Sequence, residues 1–167
     1  MLLLLFFVTL LSLSVEGREL STTTDFDGTW HIDLGTSQSS ERMLELMGVS
    51  YLKRSTAARL DIFEAYVLTQ QSFYIHRVAA SVFHDSEETL VFNVSATTDD
   101  ALVGRITSKA RYANREVTIT SVLENGSQAV SVRSILADNT NRLKILYSYK
   151  PLDAPMIYCT RYYNRLV

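Results

Sequence analysis

The spacing of apolar residues changes three times along this chain. Met1 to Val15, MLLLLFFVTLLSLSV, is an apolar run without a charge. A polar Ser/Thr-rich stretch follows, and then Phe26, Trp30, Ile32 and Leu34 fall at even spacing, which predicts a first strand. In SSERMLELMG the residues Met43, Leu44 and Met47 recur at helical spacing, with Glu41 in the first turn and Gly48 as a stop. Val49 to Leu60 predicts a second short helix with a stripe of Val49, Leu52, Thr56, Ala57 and Leu60. Lys53, Arg54 and Arg59 read as its solvated face, too few for a DNA reader. After Leu60 the period is two. It predicts strands over EAYVLTQ, SFYIHRVAASVF, ETLVFNVS, LVGRITSKARY, EVTITSVL, QAVSVRSIL, RLKILYSYK and MIYCTRYYNRL. The breaks HDSE, TTDD, ENGS, ADNTN and PLDAP carry turn residues, and Asn125-Gly126 is a hairpin signal. Short strands joined by tight turns imply an antiparallel sheet, most simply a closed barrel.

The 167 residues suit one domain able to bury its own core. A formal charge of −2 lacks the basic excess expected of a nucleic-acid binder. The leading run is too short to span a bilayer, which takes about 20 apolar residues. It fits a secretory signal, with Val15-Glu16-Gly17 offering small residues for a cut after Gly17. We therefore expect residues 1–17 to be a signal peptide and 18–167 a secreted domain, an uncleaved anchor being the alternative. Secretion gives two sequons meaning as glycosylation candidates, Asn93-Val94-Ser95 and Asn125-Gly126-Ser127. The single cysteine, Cys159, excludes an internal disulfide and a cysteine zinc site; it reads as a buried thiol or an intermolecular link.

The late strands mix polar and apolar groups on both faces. Arg133 shares a face with Ala129, Ser131 and Ile135; Arg161 shares one with Ile157, Cys159, Tyr163 and Arg165. An interior carrying Arg and Tyr suggests a cavity that holds water or a ligand with a polar head.

Three segments, in order, resemble the intracellular lipid-binding protein family, the fatty-acid-binding proteins. FDGTWHID resembles the opening Phe-x-Gly-Thr-Trp, MLELMGVSYLKRSTAARL the helical lid, and CTRYYNRL the closing Cys-Thr-Arg-x-Tyr strand. The resemblance implies a mainly β fold, a ten-stranded antiparallel β-clam or barrel with a two-helix lid. Nine strands are counted above, so SFYIHRVAASVF or LVGRITSKARY is expected to split. It also implies a head-group site in which Arg161 and Tyr163 hold a fatty-acid carboxylate, with Arg133 as the second arginine. The chemistry agrees, because an arginine fork stays charged when buried and suits a carboxylate, and a tyrosine two residues on adds a neutral donor on the same face. Leu44, Met47, Val49, Leu52 and Phe83 are implied to line the portal and cavity. The leader and the longer turns KPLDAP and ADNTN depart from the family and leave the register of the last hairpin open.

The function implied is a secreted, monomeric, non-enzymatic carrier of a fatty acid or similar hydrophobic anion, touching membranes transiently for ligand exchange and using no cofactor or metal. No catalytic motif is present, and His31, His76 and His84 are scattered. Two other readings remain. A lipocalin-type carrier also fits Gly28-x-Trp30, but that family favours disulfides and a helix after the last strand. A secreted interaction module would have a filled barrel and bind no lipid.

Overall fold

The computed structural model describes residues 25–79 and 85–166. The expected leader and portal residue Phe83 lie outside them. Ten strands form one antiparallel sheet: β1 Gly28–Ile32, β2 Ile62–Leu68, β3 Ser72–Ala79, β4 Ser86–Val91, β5 Ser95–Asp100, β6 Gly104–Ala113, β7 Glu116–Leu123, β8 Gln128–Leu136, β9 Asn139–Lys150 and β10 Ile157–Arg165. Each strand pairs with its sequence neighbour except at two places. β1 pairs with β10, which joins the two halves. β4 and β5 do not pair; the chain bridges that gap at Phe92 and Ala110, and the Asn93 amide donates to the Ala110 carbonyl at 2.9 Å. The result is a nearly closed barrel. Two helices, α1 Glu41–Leu46 and α2 Tyr51–Ala57, sit between β1 and β2.

The expected architecture is present, but the tenth strand arises elsewhere. LVGRITSKARY forms one strand, β6. The segment ETLVFNVS divides instead: Asn93 takes a left-handed φ of 63°, and the chain restarts as β5. β5 is SATTDD, whose last four residues, TTDD, were expected to be a break. It is exposed along almost its whole length and lies at an edge of the sheet, so no apolar alternation marks it. Its pairing with β6 is backbone plus a Thr97–Thr107 hydroxyl contact at 2.9 Å and an exposed Arg105–Asp99 ion pair at 3.7 Å. ADNTN is also tighter than expected, because β9 starts at Asn139 and the hairpin is absorbed by a bulge at Ile135/Leu136.

Strand parity sends one residue in two inward. At the base, Phe26, Trp30, Leu68, Phe73, Leu90, Val117 and Leu143 form a filled apolar core. The indole of Trp30 donates to the Phe26 carbonyl at 2.9 Å, and the Arg165 guanidinium lies 4.4 Å above its ring. A second cluster of Met43, Leu123, Tyr149 and Cys159 lies under the lid.

The lid is a helical hairpin turned at Gly48, whose φ of +83° suits glycine. Arg54 of α2 reaches Glu45 (3.3 Å) and Glu41 (4.0 Å) of α1, so this arginine ties the helices together rather than forming a solvated face. The hairpin is anchored to the last strand through the loop before it. The amide of Gln38 donates to the Thr160 carbonyl, its side-chain oxygen accepts from the Thr160 amide (both 2.8 Å), and the Ser37 hydroxyl accepts from the Tyr162 amide at 2.9 Å.

Candidate ligand-binding site

Between the lid and the filled base lies a cavity of about 840 Å³, within the range of ligand-holding cavities. The barrel is therefore not packed solid. Leu44 and Met47 of the lid, Leu60, Ile62, Leu102 and Val103 give it apolar walls. Lys53, Asp85, Asp99 and Asp100 also line it.

Its buried polar side chains come from β2 and β10. The last hairpin, whose register the sequence left open, sets Cys159 opposite Tyr147, Arg161 opposite Ile145 and Tyr163 opposite Leu143. That parity turns Cys159, Arg161 and Tyr163 inward on one wall. Arg161 is 6% exposed and Tyr163 fully buried. One guanidinium nitrogen of Arg161, Nη2, donates to the Ser40 hydroxyl at 3.0 Å. Among the described residues its Nε has no hydrogen-bond partner, and neither has the Tyr163 hydroxyl. A buried polar atom left unpaired costs about 1–3 kcal/mol, so these two are the part of the wall most in need of a partner. Burial, reinforced by the Glu64 charge, pushes the Tyr163 phenol well above its ordinary range, so it stays a neutral donor. Burial also raises the Cys159 thiol, partly offset by Arg161, and its sulfur lies 3.6 Å from the Gln38 carbonyl. Cys159 is thus a free, buried thiol in the wall.

The floor holds a charge cluster. Glu64 of β2 is 1% exposed. Its Oε1 accepts from Arg77 Nε at 2.8 Å; Oε2 accepts from the Tyr66 hydroxyl and stands 3.9 Å from Arg133 Nη2. Burial alone would raise the Glu64 carboxyl, but the Arg77 and Arg133 charges outweigh it and hold the pKa at about 2. Glu64 in turn raises the Arg77 guanidinium above its ordinary value.

No protein-family model matches the sequence, and no curated protein matches it. Solved structures do. The fatty acid binding protein of Schistosoma mansoni, solved in complex with arachidonic acid, superposes with a TM-score of 0.73 at 16% identity, over 88% of this chain and 100% of that one. The fold is that of the fatty-acid-binding proteins. Fatty-acid-binding protein 1 of Echinococcus granulosus matches with a TM-score of 0.71 at 15% identity, over 86% and 98% of the two chains. Lipid binding protein 8 of Caenorhabditis elegans matches with 0.71 at 14%, over 88% and 99%.

Within this fatty-acid-binding-protein fold, the residues singled out from sequence separate into groups. Arg161, Tyr163, Leu44 and Met47 meet in the cavity. Arg133 is buried in the floor, engaged by Glu64, and does not line the cavity. Val49 is buried under the hairpin turn without reaching the cavity, and Leu52 points to solvent, 77% exposed. Asn93 and Asn125 are both exposed in turns. Glu64, Arg77 and Ser40 went unnoticed. The signal for Glu64 was its parity with Ile62, Tyr66 and Leu68, hidden because the expected strand began at Glu64 itself. Arg77 likewise shares parity with Phe73 and Ile75.

Proposed function

We propose that this protein carries a long-chain fatty acid, or a similar hydrophobic anion, in the barrel cavity. The observation that carries the reading is the pair of unpartnered buried donors, Arg161 Nε and the Tyr163 hydroxyl, on the wall of a largely apolar cavity. A ligand carboxylate satisfies both, the arginine through a charge-assisted bond and the tyrosine as a neutral donor. The acyl tail then lies against Leu44, Met47, Leu60, Leu102 and Val103, gaining about 25 cal/mol for each Å² of apolar surface removed from water. The mechanism is non-covalent: binding under the lid, burial, and release where the lid hairpin loosens. Solved structures of this fold described as a fatty acid transporter and as an arachidonic acid complex support it.

The charge-free leader and the two sequons extend the proposal to a secreted carrier that acts as a monomer and touches membranes transiently during exchange. The test is native mass spectrometry with lipid extraction on the protein purified from medium, followed by oleate titration. One anionic lipid per chain, or saturable oleate binding, is expected. An empty protein that binds no oleate overturns the reading and favours an interaction module.

A further inference from the structure

We propose that Glu64 is a built-in counter-ion that withdraws Arg133 from ligand contact and so fixes where, and how many, negative charges a ligand can place in the cavity. This rests on the carrier function above.

The argument is one of completed and incomplete donor sets. Every guanidinium nitrogen of Arg133 is engaged within the protein. Nε donates to the Tyr66 hydroxyl at 3.4 Å, Nη1 to the Ser131 hydroxyl at 2.8 Å, and Nη2 faces Glu64. The group also lies over the rings of Tyr66 and Phe73, 5.8 and 6.0 Å from their centroids. Each nitrogen of Arg133 therefore has a protein contact, and the residue does not line the cavity. Both oxygens of Glu64 are engaged as well, one on Arg77, directly opposite in the β2–β3 register, the other on Tyr66 and Arg133. Arg161 and Tyr163 are the opposite case, each with a buried polar atom that has no partner among the described residues.

The charge count follows. Glu64, Arg77 and Arg133 together carry one net positive charge; Glu64 and Arg77 are on the cavity wall, as an ion pair, and Arg133 is not. A ligand carboxylate approaching the floor finds the arginines already paired with Glu64 and has to compete with that like charge in a desolvated site. At Arg161 it meets two unsatisfied donors. The head group is thereby placed at Arg161 and Tyr163, and the cavity selects lipids with a single acidic end.

The experiment compares oleate and oleyl alcohol binding by titration calorimetry in the full-length protein and two variants, Glu64→Gln and Glu64→Gln/Arg133→Gln. Removing the Glu64 charge alone is expected to tighten oleate at least about tenfold and leave oleyl alcohol unchanged. The double variant keeps the net charge of the cluster, now carried by Arg77 alone. It is expected to bind oleate within about threefold of wild type. Oleate binding no tighter in Glu64→Gln, or weakened about tenfold or more in the double variant, overturns the proposal. If circular dichroism shows that Glu64→Gln does not fold, the double variant decides alone. A wild type that binds no oleate defeats the carrier reading; a Glu64→Gln variant that gains binding in that background still supports the role of Glu64, and no binding by any form overturns both.

Discussion

Arg133 and Arg161 stand in one row of the barrel, each directly opposite Ile145 of the strand between them. Equivalent in register, they end in opposite circumstances. Arg133 is buried against Glu64, Tyr66 and Ser131, whereas Arg161 spends one nitrogen on Ser40 and keeps another buried without a partner among the described residues. What separates them is the single carboxylate that β2 brings to one and not to the other.

Arg161→Leu is expected to weaken oleate binding by about 1.5–3 kcal/mol, the range for a hydrogen bond to a charged group. The ligand-free protein should lose no thermal stability, because the removed guanidinium carries an unpaired buried nitrogen. Calorimetric titration and a melting curve check both halves; an equal loss of stability in the ligand-free protein would make Arg161 a structural residue.

The folded pKa of Glu64, about 2, lies below its ordinary value of 4.5. A depressed carboxyl contributes stability above its unfolded pKa and loses it as pH falls through the folded one. The contribution is of order 3 kcal/mol, present above pH 4.5 and lost between 4.5 and 2. Urea midpoints across that window should fall in wild type and much less in Glu64→Gln/Arg133→Gln.

Trp30, the single tryptophan, is fully buried, so Trp30→Ala should cost about 3–5 kcal/mol. Denaturant unfolding followed by circular dichroism measures it. In wild type, Trp30 fluorescence should shift to the red with the same midpoint.

Gly48→Ala places a Cβ in open space but on a left-handed backbone. The cost is about 1–2 kcal/mol, borne by the lid hairpin. Faster release of a bound fluorescent fatty acid in stopped-flow, with the base of the barrel unaffected, is the expected result.

If the chain is exported as proposed, the secreted protein begins at Arg18 and carries N-linked glycan at Asn125, exposed at the tip of the β7–β8 hairpin. Intact mass before and after deglycosylation, with an Asn125→Gln variant, checks it.

The parts of the fold that bury one face could be read from the residues: β7 and β8 around Asn125-Gly126, the helix pair around Gly48, and the inward set on β10. Strand β5 could not, because an edge strand in water has no reason to alternate. Arg161 and Tyr163 were visible as residues two apart on one strand. The fate of Arg133 was not, since it depends on Glu64 and Tyr66, 69 and 67 positions earlier, meeting it only when the barrel closes. No local pattern reports that encounter.

The pairing of β1 with β10 has a consequence for how the molecule is made. Trp30 meets Arg165, so the barrel's last seam joins segments from opposite ends of the fold. Such distant pairing is slow to form. Arg161 and Tyr163 lie on β10, so a chain emerging from the ribosome has its lid, its floor residues and nine strands before the proposed head-group pair. On the carrier reading, the growing barrel holds no cargo until β10 has been made.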